Sequence, residues 1–431
     1  MKTIGIDIGT TNTKVILYNI LTATVVQKVS APTPIVENDW GRVRYSEDIV
    51  SLVKKLIMEL GEKVDVSDVV GLSVSCVGEE IVLIDETGHS LAPIIPWFDE
   101  RSWPEREQFF STFGIGLFRG ITPGPWYVLY KLLWFKRHHP EILKRTSIFT
   151  DIGSFVLGQF SSEYKMDWSH ASRTGVFDVL QKDWNAEIVA ASGLPREMFP
   201  ELVPSGSKLG IVTETVAKEL GLPSNVVICA GGHDHFCAAF AGGVRNAGDV
   251  LVSAGTSEAC FVLMNHPIPN LKSRFPAEQG CFVDGLLYYI MISIPSGHLF
   301  QQWKELLYKN SDDEEIYQEM SITPIGCEGN QFIMSDDLCT WTLTGSNRFF
   351  ERGTVMRAVQ EGIAAVSRDV VNELFSLSDN EGKLYVTGKP TSHLFWRNLR
   401  SEAYKRELHV IHEVESASLG AALMAKQVCE V

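Results

Sequence analysis

The sequence predicts two related α/β domains. Apolar runs typical of strands alternate with helical periodicities in both halves of the chain, and this pattern indicates an α/β architecture. The length of 431 residues exceeds what one hydrophobic core ordinarily supports, so two domains are expected. A short phrase of β-rich sequence followed by Gly and Thr also occurs twice, at residues 6–11 and again at residues 252–257.

The composition excludes several classes of partner. A hydrophobic content of 45% and a charged content of 21% are ordinary for a globular protein. The formal net charge of -15 argues against binding to a nucleic-acid backbone. Eight cysteines without a C-x-x-C pair, and no leader segment, predict a cytoplasmic protein with reduced thiols. No apolar stretch approaches the roughly 20 residues of a membrane helix, so no membrane partner is expected.

The first half is predicted to begin with a hairpin, whose strands are residues 3–8 and 13–19. Apolar residues at helical spacing then predict a helix with Ser46 as its N-cap and Gly61 as its stop. Further elements of the first half are strands at 69–75, 81–85 and 226–231, and mainly helical structure at 128–160.

The second half is predicted to repeat the hairpin around residues 253–257. The acidic segment 309–315 is expected to be an exposed turn. The later elements are a helix at 355–376 with Val355, Ala358, Ile363, Val366, Val370 and Leu374 in the core, a strand at 384–387 and a helix at 392–406. The domain boundary is placed after Gly243, which gives domains 1–243 and 244–431.

The two Gly/Thr turns are candidate phosphate sites, because such turns direct backbone N–H groups and hydroxyls at one point. In the first turn a carboxylate, Asp7, could organise Mg²⁺. The residues around it are Thr10, Thr11, Thr13 and Lys14. The second turn offers Gly255 and Thr256. The alternatives are a plain hairpin with a surface aspartate and an ordinary strand bend. Neither a G-x-x-x-x-G-K-[ST] loop nor a G-x-G-x-x-G motif occurs in the chain.

Asp234 follows two glycines at the end of a predicted buried strand, where a site would open. A carboxylate there could take a proton from a hydroxyl nucleophile during phosphoryl transfer. A helix N-cap is an equally good explanation. Zinc binding with the flanking His233 and His235 is a third alternative, although the sequence shows no fourth ligand.

A carboxylate between two apolar strands, Glu79, could accept hydrogen bonds from sugar hydroxyls. Aromatic residues beside polar ones, Trp97 near Asp99 and also Trp126, could stack on the apolar face of a sugar. The alternatives are a solvated strand end for the carboxylate and simple core packing for the aromatics.

Together these motifs resemble the FGGY family of carbohydrate kinases, which includes xylulose, gluconate and glycerol kinases. The likeness runs nearly from end to end. It covers residues 5–14, 78–80, 97–102, 131–134, 171–174, 231–234, 253–257, 357–362 and 416–422.

The resemblance implies a two-domain actin-like ATPase (ribonuclease-H-like) fold with the active site in the interdomain cleft. It implies ATP and Mg²⁺ as cofactors, with Asp7 near the metal and Asp234 as catalytic base. The implied phosphate contacts are Thr10, Thr11, Thr13, Lys14, Gly255 and Thr256. The implied sugar contacts are Glu79, Trp97, Asp99, Trp126, His233, Asp234 and His235. The implied adenosine contacts are Gly388, Lys389, Ser392 and Asn398.

Two departures from the family pattern concern the nucleotide and the oligomer. Relatives usually carry a run of glycines at residues 387–390, where this chain has a bulkier Lys389 and a Pro390 that lacks an N–H donor. The nucleotide preference is therefore left open. The chain also lacks sequence between about 304 and 350, a region that often supplies dimer contacts, so a homodimer is left open as well.

The reaction expected from the resemblance is ATP-dependent phosphorylation of a hydroxyl group of a small sugar, ketose or polyol. Two alternatives come from other classes. One is a non-catalytic sugar or nucleotide sensor on the same fold, and the other is an actin-like ATPase whose turnover is independent of sugars.

Overall fold

The fold is built on two large mixed sheets, each flanked by helices. The computed structural model describes residues 1–119, 121–345, 351–412 and 416–429. The strands of the first half are β1 Lys2–Ile8, β2 Asn12–Asn19, β3 Thr24–Pro32, β4 Val36–Asn38, β5 Gly41–Val43, β6 Val69–Cys76, β7 Ile81–Ile84, β8 Ile148–Asp151, β9 Lys165–Asp167, β10 Phe177–Asp178, β11 Asp183–Trp184, β12 Glu201–Val203, β13 Lys208–Ile211 and β14 Val227–His233. Those of the second half are β15 Val250–Ala254, β16 Glu258–Met264, β17 Ala277–Cys281, β18 Tyr288–Ile294, β19 Gln331–Met334, β20 Trp341–Thr344, β21 Leu384–Thr387 and β22 Leu408–Val410.

The helices surround these sheets. They are α1 Ser46–Lys63, α2 Trp103–Phe113, α3 Val128–His138, α4 Pro140–Arg145, α5 Ile152–Ser161, α6 Trp168–Ala171, α7 Ala186–Ser192, α8 Glu214–Leu220, α9 Asp234–Ala241, α10 Ser296–Leu307, α11 Asp313–Ile322, α12 Arg352–Leu377, α13 Leu394–Tyr404 and α14 Ser416–Cys429. Among the helices of the described residues, none combines the length and the apolar character needed to cross a membrane.

Five strands have the same order in the two sheets, β3-β2-β1-β6-β14 in the first and β18-β16-β15-β21-β22 in the second, and each sheet adds a sixth strand at a different edge. The first runs β13-β14-β6-β1-β2-β3 and the second runs β17-β18-β16-β15-β21-β22. In each sheet an antiparallel hairpin, β1–β2 or β15–β16, is followed on one side by two parallel strands. The repeated Gly/Thr phrase therefore occupies the turn of the same hairpin in both sheets, which explains why it recurs in the sequence.

The carboxyl ends of three adjacent strands meet at one edge of the first sheet. In the parallel register Asp7 of β1 is opposite Ser75 of β6, and Ser75 is opposite Gly232 of β14. Two strand spacings, about 10 Å, therefore separate the backbone at Asp7 from that at Gly232. This edge is where side chains on the three strands can act on one ligand.

Most predicted elements of the second half are observed, and the long helix is the clearest. Helix α12 spans Arg352–Leu377, and its six predicted core residues are all buried. Only the first residues of the acidic segment 309–315 form a turn. Residues 313–315 begin α11, which Asp312 caps by accepting a hydrogen bond from the backbone N–H of Glu315 at 2.8 Å. Charge repulsion between neighbouring acidic residues is offset there by the positive end of the helix dipole.

The helix predicted from Ser46 is observed, but both of its predicted ends are wrong. Ser46 is the first residue of α1 and Gly61 lies inside this helix, which ends at Lys63. The packing of its apolar face on the sheet outweighs the helix cost of about 1 kcal/mol for one glycine. The region 128–160 is mainly helical, as predicted, in α3, α4 and α5, and it also contains the short strand β8, which pairs with β7.

The last helix returns to the first half of the molecule. Helix α14 packs across β1, β6 and α9. A side chain at Gly5 would collide with this helix, since its Cβ would lie 1.9 Å from the Ser418 carbonyl oxygen. The hydroxyl of Thr3 donates a hydrogen bond to the Ala422 carbonyl at 3.0 Å. The strands of the first sheet end at His233 and those of the second begin at Val250, whereas the C-terminal helix packs on the first sheet.

Candidate functional site

Asp7 lies at the edge of the first sheet with its carboxylate almost buried. Its side chain is only 8% exposed, and Oδ1 accepts a hydrogen bond from the Ser75 hydroxyl at 3.0 Å. A fixed carboxylate at the end of a strand, next to a Gly/Thr turn, is an arrangement suited to a hydrated Mg²⁺ ion.

The first turn is held in place by side chains from two other segments. Its backbone closes through the Gly9 N–H, which donates to the Asn12 carbonyl at 3.1 Å. Arg44 Nη2 donates to the Thr10 carbonyl at 2.8 Å, and Trp97 Nε1 donates to the Thr10 hydroxyl at 3.1 Å. The turn and the predicted aromatic residue Trp97 are therefore parts of one site.

The predicted phosphate residues of this turn differ in accessibility. Thr11 is exposed at the tip, whereas Thr13 is fully buried. The Thr13 hydroxyl lies 3.0 Å from that of Thr33, which itself donates to the Gly9 carbonyl at 2.8 Å. Thr13 supports the turn from below. Lys14 is partly buried on β2, in register with Asp7.

Asp234 is the first residue of α9, directly after strand β14. Its Oδ1 accepts the backbone N–H of His235 at 2.7 Å and lies 2.9 Å from Nδ1 of His233. In the part of the chain that the structure describes, its Oδ2 has no hydrogen bond. The residue in the N-cap position of α9 is His233, whose Nδ1 lies 3.3 Å from the His235 backbone nitrogen. The capping alternative for Asp234 therefore does not describe this helix.

The electrostatics keep Asp234 ionised. Burial alone would raise the pKa of this carboxyl, but the neighbouring His235 and His233 and their hydrogen bonds outweigh it and hold the pKa well below its usual range. Burial lowers the pKa of His233, which favours the neutral imidazole at pH 7. The proposed zinc site on these residues gains no support, because the metal-sized ligand group found among the described residues does not include them.

Glu79 lies in a buried network that joins the two halves of the molecule. Arg173 donates from Nε to Glu79 Oε1 at 2.7 Å, and it also pairs with Glu278 of strand β17. Its Nη1 donates to the Tyr127 hydroxyl at 3.1 Å, and its guanidinium carbon lies 4.8 Å from the centre of the Tyr127 ring. One cation thus neutralises two carboxylates, one from each half. Burial raises the pKa of Glu278.

The backbone at Glu79 is held in an unusual conformation. Its φ of 59° lies in the left-handed region, which costs roughly 1 kcal/mol or more for a residue other than glycine. Lys131, which is fully buried, donates from Nζ to the Glu79 carbonyl at 2.6 Å and to the Ile95 carbonyl at 3.1 Å. A strained residue that a buried lysine holds in place is typical of a functional site.

Two further predicted sugar residues, Trp126 and Asp99, differ in their surroundings. Trp126 is half-buried, and its ring packs over Gly124, where a Cβ would lie 2.3 Å away. Asp99 caps a 3-10 turn, and its carboxylate is paired with Arg101 at 2.7 Å. Burial would raise the pKa of Asp99, but the contacts with Arg101 outweigh it and the pKa is lowered.

The second turn, residues 255–257, projects from the second sheet with Gly255 and Thr256 exposed. The Gly255 N–H donates to the Ser257 carbonyl at 3.0 Å, and the His298 N–H donates to the Thr256 carbonyl at 2.7 Å. The base of the turn is fixed by Glu258, a buried residue whose Oε2 lies 2.7 Å from Nη2 of the equally buried Arg400.

The segment at residues 387–390 lies beside this turn, because β21 pairs in parallel with β15. Gly388 has a φ of 105°, and a Cβ there would lie 1.9 Å from the Ala254 carbonyl oxygen. Glycine is therefore required at this position. Lys389 is 81% exposed and pairs with Asp313 at 2.8 Å, so the bulkier side chain points away from the turn toward α11.

A cavity of about 450 Å³ opens next to these residues. Predicted residues Ser392 and Asn398 line it, and Tyr317 and His393 connect it to a smaller cavity lined by Gly255 and Lys389. The rings of Tyr317 and His393 stack with their centres 4.0 Å apart. The volume suits a nucleoside, since small-molecule pockets measure roughly 300–1,000 Å³.

Sequence reasoning missed the ionic partners and one wall of the cavity. The residues concerned are Arg44, Lys131, Arg173, Glu278 and helix α11. The segment 171–174 carried a family signal, but neither spacing nor composition indicated which carboxylates Arg173 would meet. Glu278 lies 105 positions from Arg173 in the chain.

The chain is similar to known carbohydrate kinases. Residues 2–241 match the model of the FGGY family of carbohydrate kinases, N-terminal domain. A xylulose kinase of Staphylococcus epidermidis is 27% identical over 439 residues, which cover 98% of this chain and 87% of the relative. An L-fuculokinase of Escherichia coli O157:H7 is 26% identical over 433 residues, covering 97% and 90%. The crystal structure of a xylulose kinase from Rhodospirillum rubrum superposes with a TM-score of 0.90 at 23% identity, covering 99% and 89%.

Proposed function

The chain belongs to the FGGY family of carbohydrate kinases and is a sugar kinase with the two-domain actin-like fold, and from this premise we propose its specific reaction. The γ-phosphoryl group of ATP is transferred to a hydroxyl group of a small sugar, ketose or polyol, with Asp234 as general base. Domain 1–243 carries the sugar site and the first phosphate turn, and domain 244–431 carries the second turn and the adenosine site.

One observation carries this proposal. Asp7 near the end of β1 and Asp234 directly after β14 lie at the same edge of one sheet, and Glu79 follows the strand between them, β6, with Gly78 beside the His233 ring. A carboxylate suited to a metal ion, a carboxylate suited to a hydroxyl nucleophile and a polar pocket form the set that sugar phosphorylation requires.

Asp234 acts on the acceptor hydroxyl through Oδ2, since Oδ1 is held by the His235 N–H. A carboxylate with a lowered pKa is a weak base but is fully ionised at neutral pH. It therefore orients the hydroxyl from the start of the reaction and accepts its proton as the bond to phosphorus forms. His233, in contact with both Asp234 and the Gly78 backbone, fixes the direction of the carboxylate.

The residues present fit ATP and Mg²⁺. The cavity of about 450 Å³ would hold adenosine, with Ser392 and Asn398 on its wall. The exposed Thr11 and Thr256 turns would hold the phosphates, and Asp7 would hold Mg²⁺ directly or through water. The bound nucleotide supplies the phosphoryl group, and the metal neutralises the charge on its oxygens.

The reaction is tested by a screen of ADP release with purified protein. Pentuloses, hexuloses, polyols and aldonates are supplied with Mg²⁺-ATP. The screen begins with xylulose because a similar protein is a xylulose kinase. We expect at least one ketose to raise ADP release by a hundredfold or more over ATP alone. Sugar-independent ATP turnover would instead support an actin-like ATPase. Sugar binding without turnover would support a sensor.

Replacement of Asp7 is expected to affect Mg²⁺-nucleotide use far more than replacement of Ser253. The first turn has a carboxylate at the position where the second turn has a hydroxyl, so only the first is suited to a metal. Asp7→Asn should lower kcat by about 10²-fold or more and raise the Mg²⁺ concentration for half-maximal activity. Ser253→Ala should change both by less than about threefold. Equal losses in the two variants would contradict this asymmetry.

A further inference from the structure

A buried group of potential metal ligands lies beside the sugar site. Cys76 Sγ is 3.1 Å from His170 Nε2 and 3.4 Å from Asp151 Oδ1. The three ligand atoms lie within 4.8 Å of one another, and all three residues are buried. Thiol, imidazole and carboxylate form a donor set that binds Zn²⁺. Neither the phosphoryl transfer nor the sugar contacts proposed above use these three side chains.

The Asp151 carboxylate is a second observation that points to a cation at this site. Its side chain is 3% exposed, and Oδ1 accepts the Ser154 N–H at 2.8 Å. Oδ2 is buried without a hydrogen-bond partner, and in the described part of the chain neither Lys nor Arg pairs with this carboxylate. A buried carboxylate with one unsatisfied oxygen costs several kcal/mol unless a cation or proton compensates it.

His170 is oriented as a ligand of such an ion would be. Its Nδ1 donates to Asp167 Oδ2 at 2.5 Å, which leaves Nε2 directed at Cys76. A carboxylate behind a coordinating histidine fixes the tautomer and the ring and is the common support of zinc-bound histidines. Asp167 is itself held by the hydroxyls of Ser169 and Ser205 at 2.5 and 2.9 Å.

We propose that Cys76, Asp151 and His170 bind one Zn²⁺ ion in a buried structural site. Tetrahedral bonds of about 2.0–2.3 Å place sulfur and nitrogen ligands about 3.6 Å apart, so the side chains need to move by only a few tenths of an ångström. The Cys76 S–H bond breaks on binding and its proton leaves to solvent.

Such an ion would link three segments, two of which continue to the buried Glu79–Arg173 pair. Cys76 ends β6 shortly before Glu79, Asp151 joins β8 to α5, and His170 lies in α6 shortly before Arg173. The site would therefore stabilise the frame that holds the buried Glu79–Arg173 pair. It is separate from Asp7 and from Mg²⁺.

The test is made on the purified full-length protein. Elemental analysis should find about one zinc per chain, and chelation should lower Tm until zinc is added back. Replacement by Co²⁺ should give a sulfur-to-cobalt charge-transfer band and strong tetrahedral d–d bands. Cys76→Ser should lose the charge-transfer band, while Cys339→Ser, at an exposed cysteine, should keep it.

The outcomes decide the proposal in either direction. Protein without stoichiometric zinc that also gives no charge-transfer band with Co²⁺ overturns it. A band that persists in folded Cys76→Ser also overturns it, because the thiolate then belongs to another cysteine. If Cys76→Ser does not fold, X-ray absorption at the zinc edge of the wild-type protein decides. One sulfur with nitrogen and oxygen neighbours supports the site, and nitrogen and oxygen alone overturn it.

Discussion

Asp234→Asn is expected to lower sugar phosphorylation by about 10³-fold, within the range of 10²- to 10⁴-fold that general base catalysis contributes. Asparagine keeps the size of the side chain and can still accept the His235 N–H, but it cannot take a proton from the acceptor hydroxyl. The affinity for ATP should be unchanged, since Asp234 lies in the first half and the cavity proposed for adenosine lies in the second. Turnover is measured by ADP release and affinity by calorimetry.

The matched control is Asp183→Asn, at an exposed aspartate that pairs with Arg196 at 3.2 Å. This variant should keep wild-type turnover. Turnover of Asp234→Asn within about threefold of wild type would remove Asp234 from the role of base. A parallel loss of ATP affinity would mean that the variant has disturbed the cleft rather than the chemistry.

Arg173→Met is expected to cost about 3–5 kcal/mol of unfolding free energy, because it leaves two buried carboxylates without their shared cation. Glu79 and Glu278 are almost as buried as the arginine, with side chains 6% and 11% exposed. Both glutamates contact the same guanidinium in the wild-type protein. Without it the two neighbouring carboxylates cannot both remain ionised, so one of them takes up a proton. Denaturant unfolding at pH 7 measures the loss, and the KM for the sugar should rise because Glu79 is no longer held.

Two further variants separate stability from sugar recognition. Arg196→Met removes a pair whose side chains are about half exposed, and it should cost no more than about 1 kcal/mol. Arg173→Met combined with Glu278→Gln removes one of the two carboxylates and should recover part of the stability without recovering the KM. An Arg173→Met variant as stable as wild type would show that Arg173 does not offset the repulsion between the two glutamates.

Local sequence patterns were sufficient for the elements that carry local signals. β-Rich runs on both sides of a Gly/Thr turn predicted both hairpins, and period-3.6 spacing predicted α12 with its buried residues. The Gly/Thr turns and the Asp234 segment were found because each occupies a few consecutive residues. The period-2 alternation of a strand could have shown that Thr13 faces the interior, since Val15 and Leu17 on the same face of β2 are buried as well.

Patterns spread along the chain were not sufficient. The boundary at Gly61 failed because tertiary packing outweighed a local helix stop. Residues 313–315 of the predicted turn are instead the start of α11, because Asp312 caps this helix and its apolar face packs in the hydrophobic core of the second sheet. Helix α11 also forms a wall of the cavity. These differences arise where a weak local preference of about 1 kcal/mol meets a larger burial term.

The sequence by itself determined the α/β architecture, the family and the two Gly/Thr turns, because each depends on residues that are neighbours in the chain. Only the tertiary structure decided that Arg173 joins Glu79 to Glu278, that α14 packs on the first sheet, and that Cys76, Asp151 and His170 meet. The physical reason is that buried charges and ligands require compensation by whichever groups the fold brings near. The partners are separated by 19 residues, from Asp151 to His170, up to 105 residues, from Arg173 to Glu278, and no local pattern encodes their pairing.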